Sequence, residues 1–237
     1  MSASLVVHVV QRAAPVQSAW LVRLLEPVAA ACRFDPVPPL EIRPTGRWGG
    51  WSSGASSAPD GRVAVSNKFV FWTAENVINV VIHEWTHRAL QHEKVLSHGP
   101  EFFCLNAVLL LRSAQFFDDD CLHKLRLYDL QDCPEELADE PNWRGLVLGW
   151  ALPLAAELAA SLISAQQLAP VICSGWEKFV SELLTSKLAA EVVAEQARRA
   201  EKKRMEDFEE LRSARFAWRV VSVVGWTSFF FLGWVVL

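Results

Sequence analysis

The chain has 237 residues, 51% hydrophobic and 21% charged, and its 23 basic against 27 acidic side chains leave a formal charge of −4. That length suits one medium domain with additions, or at most two domains. The apolar content excludes a disordered chain, the spread of charge along most of the length argues against a polytopic membrane protein, and the acidic balance gives no global pull toward nucleic acid.

From the N-terminus, residues 5–10 read as a strand. Residues 16–32 read as a helix that ends before the proline-rich stretch 35–39, and residues 40–43 as a second strand. The first apolar run is too short for a secretory signal and has no basic flank, so the N-terminus is expected to be cytoplasmic. The five cysteines, Cys32, Cys104, Cys121, Cys133 and Cys173, are odd in number and form no C-x-x-C pair. They make neither a disulfide framework nor a zinc ribbon, and they fit a reducing, intracellular compartment. Residues 48–61, rich in Gly and Ser, read as a turn or mobile loop in which Trp48 and Trp51 are candidates to line a cleft. Residues 62–66 alternate as a short strand.

A helix is expected next, with Thr73 as its N-cap and Glu75 at the positive end of its dipole. Val77, Ile78, Val80, Val81 and Ile82 make it apolar nearly all round, so it should be buried. A buried helix does not ordinarily carry two histidines and a glutamate without partners for them. Those residues are His83, Glu84 and His87, an H-E-x-x-H motif. Positions four apart share one helical face, so both imidazoles can bind one metal. Zinc there would lower the pKa of a bound water toward roughly 7, and Glu84, adjoining the first ligand, can take its proton and pass it to a leaving amine.

A catalytic zinc has three protein ligands and one open position. His92 stands well round the helix from His87. His98 lies beyond the helix and precedes Gly99 and Pro100, which permit a sharp turn into a new helix carrying Glu101, Phe102, Leu105, Val108 and Leu109. His98 is therefore the candidate third ligand, with Glu101 and Glu93 as carboxylate rivals. Manganese or cobalt are alternatives to Zn2+ at such a site. His8 and His123 read as ordinary surface or core histidines, and Tyr128 as a packing residue.

His83-Glu84-Trp85-Thr86-His87 followed by His98-Gly99-Pro100-Glu101-Phe102 resembles the SprT/Spartan-type zinc metallopeptidases, and residues 61–71 (GRVAVSNKFVF) are similar in kind to that family's strand and connector before the active helix. The resemblance covers residues 16–111. It implies an α+β, minigluzincin-like domain with a small sheet and a buried active helix, zinc on His83, His87 and His98, Glu84 as general base, and a protein or peptide substrate. Some members of that family act on proteins crosslinked to DNA, but this chain lacks the family's cysteine zinc ribbon. Nucleic-acid binding would then rest on the basic stretch 198–204. A non-catalytic scaffold that keeps the zincin shell is the other reading, and the intact Glu84 argues against it.

The acidic region 118–140 reads as the exit from a first domain, residues 1–142. Residues 145–165 form an apolar stretch with Glu157 near its middle, which favours a packed helix over a membrane segment. Residues 177–216 read as helical, with basic then acidic blocks, so residues 143–217 are expected to be a helical spacer. Residues 220–237 carry no charge and follow Arg212, Arg215 and Arg219. They are just long enough, at about 27 Å, to approach the roughly 30 Å hydrocarbon core. Residues 218–237 are accordingly expected to be a transmembrane anchor holding the catalytic domain on the cytoplasmic side.

Overall fold

The computed structural model describes residues 5, 7–9, 15–43, 55–57, 63–66, 72–91, 93, 95, 97–118, 120–125 and 130–235. Trp48, Trp51, His92 and Tyr128 lie outside them, as do the side chains of His8 and of residues from 214 onward.

Four short strands form one sheet. They are β1 (Val7–Val9), β2 (Leu40–Arg43), β3 (Ala55–Ser57) and β4 (Val63–Ser66), in the order β1-β2-β4-β3. β1 runs parallel to β2 with Val7 opposite Leu40, and β2 runs parallel to β4 with Leu40 opposite Val63. β3 is antiparallel to β4, with Ala55 opposite Val65. A parallel neighbour needs a long crossover, and α1 (Pro15–Cys32) supplies it between β1 and β2. Val63, Ala64 and Val65 are all buried, so β4 is covered on both faces. β3 lies within the stretch expected to be a turn or mobile loop. Its Ala-Ser-Ser sequence has little strand propensity, and its extended form comes from pairing along β4.

α1 ends with Arg33 in the left-handed region (φ 61°). The Phe34 amide donates to the Ala29 carbonyl and the Arg33 amide to the Ala30 carbonyl, both at 3.1 Å. This pair of bonds closes the last turn in place of the missing helical ones.

The remaining helices are α2 (Ala74–Ala89), α3 (Pro100–Arg112), α4 (Trp143–Ala160) and α5 (Ala165–Val235). α3 is the centre of the compact part, with every residue from Pro100 to Leu110 buried. α4 packs along it through Val147, Ala151, Ala155 and Leu158, while Pro153 and Glu157 face outward. The apolar stretch 145–165 is thus a helix packed on protein. Arg112 ties three helix ends together. Its guanidinium donates to the carbonyls of Leu158 (3.0 Å), Ser161 (3.2 Å) and Ala159 (3.4 Å) at the end of α4, and to that of Cys32 (3.2 Å) at the end of α1. One cation thereby satisfies carbonyls that the helices leave free.

The chain divides into two compact units, Met1–Val180 and Ser181–Leu237. In the first, α5 buries a stripe of Ala165, Leu168, Ala169, Ile172, Trp176 and Val180, the spacing of an amphipathic helix. In the second, every residue from 188 to 213 whose side chain is described is exposed, except the half-buried Glu195.

Two expectations are corrected. Helices make up 74% of the described residues, and the sheet is a small one of three- and four-residue strands, so the architecture is dominated by helix and is not a balanced α+β domain. The long helices α4 and α5, read from sequence as a helical spacer and an anchor, shift that balance. Second, among the described residues no helix is long and apolar enough to cross a membrane. Residues 217–235 continue α5. The expected transmembrane anchor is not supported, nor is the membrane location with a cytoplasm-facing catalytic domain that depended on it.

Candidate metal centre

α2 begins where the sequence places it. Thr73 is extended (φ −65°, ψ 154°) and its hydroxyl accepts from the Asn76 amide at 3.3 Å. Glu75 in the first turn accepts from the Asp118 amide and pairs with Lys124 at 3.0 Å. These two bonds hold its carboxyl below the usual range, and they fasten the start of α2 to the segment that follows α3.

The far half of α2 carries two faces. Trp85 and Thr86 point into the core, each with no exposed surface. The Trp85 ring packs on Phe34 with centroids 5.1 Å apart, and its indole N–H has no partner among the described residues. The Thr86 hydroxyl donates to the Ile82 carbonyl at 2.8 Å and lies 3.3 Å from Asn106 Oδ1 on α3. The other face presents His83 and His87, both half-buried.

Gly99 and Pro100 turn the chain into α3 and bring His98 back to that face. One ring nitrogen from each of His83, His87 and His98 lies within 4.8 Å of the others. The Nε2 atoms of His83 and His98 are 3.3 Å apart. Two Zn–N bonds of about 2.0–2.1 Å at a tetrahedral angle set their nitrogens about 3.3–3.4 Å apart, so this spacing suits a metal of that size. Burial, helped by the neighbouring imidazoles, pushes His83 down to about 4 and His87 down to about 3. Burial also lowers His98, against the pull of the Asp132 carboxylate. All three rings are therefore neutral near pH 7, the form that offers a lone pair to a metal. These three histidines lie close enough to hold a metal ion. Among the described residues no other group of histidine, cysteine and acidic side chains does so. Glu93 and Glu101, the carboxylate rivals for third ligand, stand outside the group.

Two supports escaped the sequence. Phe102, buried in the first turn of α3, packs its ring against all three imidazoles, with centroids 4.3 Å from His87, 4.9 Å from His83 and 5.0 Å from His98. Asp132 Oδ2 accepts from the His98 amide at 2.9 Å, and the amides of Gln131 and Asp132 donate back to the His98 carbonyl at 3.2 and 3.3 Å. The loop ligand is thus clamped through its main chain. Phe102 lay within the H-G-P-E-F signal but was read only as part of an apolar face. Nothing in the sequence singled out Asp132 among the many acids of its region.

Glu84 is buried beside His83 at 7% exposure. A cavity of about 200 Å³ opens next to His87, lined by Leu90, Gln91, Glu93, Val95, Ser97 and Phe102. His123 is exposed in a short turn away from the centre. Comparison with family models, with curated proteins and with solved structures finds no match to this chain.

Proposed function

We propose that this protein is a zinc-dependent peptidase of the SprT/Spartan kind, with His83, His87 and His98 as ligands and Glu84 as general base. The observation that carries this reading is the convergence of three neutral imidazoles at metal-binding spacing, with a buried glutamate next in sequence to the first of them. Zinc, when bound, would supply Lewis-acid activation of a water and of a substrate carbonyl. The chain's own residues do the rest. His83 and His87 are fixed by a buried helix, and His98 by the Asp132 clamp, so the ligands need little reorganisation to bind. Glu84 takes the proton of the attacking water and returns it to the leaving amine. The cavity beside His87 accepts a substrate side chain, with Gln91, Glu93 and Ser97 among its walls as well as Leu90, Val95 and Phe102.

The test uses the full chain. Elemental analysis should find about one zinc per chain, and His98→Ala should lose most of it. Glu84→Gln should retain the metal and the fold yet lose at least about a hundredfold in peptide hydrolysis. Equal hydrolysis by Glu84→Gln and the parent would refute the mechanism. A metal-loaded parent that cleaves no peptide, casein or unfolded protein would favour the scaffold reading.

A further inference from the structure

The cavity of about 200 Å³ beside the metal centre shares two walls with it, His87 and Phe102. That volume is below the roughly 300–1,000 Å³ of a small-molecule site, and it suits a single side chain of a bound peptide. Leu90 and Val95 add apolar wall, and Gln91 and Ser97 add neutral hydrogen-bonding groups. Glu93 is the one carboxylate among the described lining residues. It is half-buried, and its amide donates to the Leu90 carbonyl at 2.9 Å, which fastens its main chain beside the end of α2.

The Glu93 carboxylate has no task at the metal, because His98 completes the group of ligands and Glu93 stands outside it. Other carboxylates stand near it. Burial, then Glu101, Glu93 and Glu177, push the Cys173 thiol up to about 12, and burial with Glu136 and Glu177 raises Glu101. Glu93, Glu101 and Glu177 thus act on one thiol, and among the described residues no ion pair neutralises any of the three. A half-buried carboxylate in such company is short of a counter-charge.

Resting on the peptidase reading, we infer that this cavity takes a lysine or arginine side chain of the substrate, with Glu93 as the specificity-determining residue. The carboxylate meets the cationic head, while Leu90, Val95 and Phe102 cover the aliphatic stem. An acidic substrate side chain is repelled, and norleucine, which has the stem without the head, leaves Glu93 unpaired.

The test uses the full, zinc-loaded chain and acetylated, amidated alanine–glycine decapeptides with one central residue varied, so that its side chain is the only cation offered. Arginine and lysine peptides should be cleaved with kcat/KM at least about tenfold above their neutral counterparts, citrulline and norleucine, and the ratio should shrink as salt rises. That comparison needs no variant. Glu93→Gln should bring the ratio close to one, and Glu93→Lys should turn the preference toward a glutamate peptide, an inversion that loss of packing does not produce. Elemental analysis checks that both variants keep their zinc. Binding of the same peptides, carrying an uncharged dye, to zinc-loaded Glu84→Gln is read by fluorescence anisotropy, with and without Glu93→Gln added. Tighter binding of the arginine peptide, lost with Glu93→Gln, beside a parent that hydrolyses nothing would overturn the peptidase reading and uphold the specificity of the cavity. Indifference to arginine against citrulline in hydrolysis and binding, or a preference that survives Glu93→Gln, would overturn the inference and leave the peptidase reading standing.

Discussion

His98 in the first unit is held by Asp132, 34 positions downstream, whereas Arg199 in the second is held by Glu195 one turn away. The same contrast runs through each unit. In the first, α3 is buried along nearly its whole length and its neighbours come from distant parts of the chain. In the second, the described pairs are three or four positions apart and exposed. A catalytic constellation needs the first kind of support, because only long-range packing fixes side chains from different elements within tenths of an ångström. A solvated helix can rest on local propensity and pairing.

The sharpest way to break this contrast is at Phe102. Phe102→Ala removes a buried ring from α3 and the common neighbour of three imidazoles. It should cost about 3–5 kcal/mol of stability and weaken metal binding at the same time, as read by denaturant unfolding and by competition with a chelator. Stability lost without any change in metal affinity would mean that Phe102 serves the core alone.

Asp132→Ala should act more selectively. It unfastens the His98 main chain, so metal affinity should fall roughly tenfold or more while the fold persists. An unchanged affinity would show that the turn at Gly99 and Pro100 places His98 without the clamp.

Glu101 offers a pH signature. Burial, with the Glu136 and Glu177 carboxylates nearby, raises its pKa above the ordinary value. The folded state then binds more protons than the unfolded one between the ordinary and the raised value, so stability falls as pH rises through that window. Glu101→Gln should raise the melting temperature at neutral pH and leave it unchanged below the ordinary carboxylate range. A destabilised variant at neutral pH would mean that the ionised carboxylate has a favourable partner.

The smallest effect belongs to the second unit. Glu195→Gln removes the charge that pairs with Arg198 and Arg199 and should lower helix stability by only about 0.2–0.5 kcal/mol, an effect erased by salt. A cooperative loss of helix on this substitution would show that the region depends on tertiary or intermolecular contacts through Glu195.

Local chemistry was legible in the sequence where it is repeated or punctuated. Thr73 caps α2, the valine–isoleucine run buries it, and His83 and His87 share a face because a helix puts residues four apart together. His98 was legible as well, since Gly99 and Pro100 mark a turn. What the sequence could not determine depends on contacts between distant segments. The grip of Asp132, the strand at Ala55–Ser57 and the packing of α4 on α3 follow from how segments meet, and residue pattern carries no record of that. The uncharged C-terminal run taught the same lesson in reverse. Its composition suggested a separate membrane span, whereas in the structure it continues a single helix begun at Ala165, and no described helix is suited to crossing a bilayer. Apolar composition says that a surface must leave water, but only the tertiary or quaternary structure decides what it is buried against.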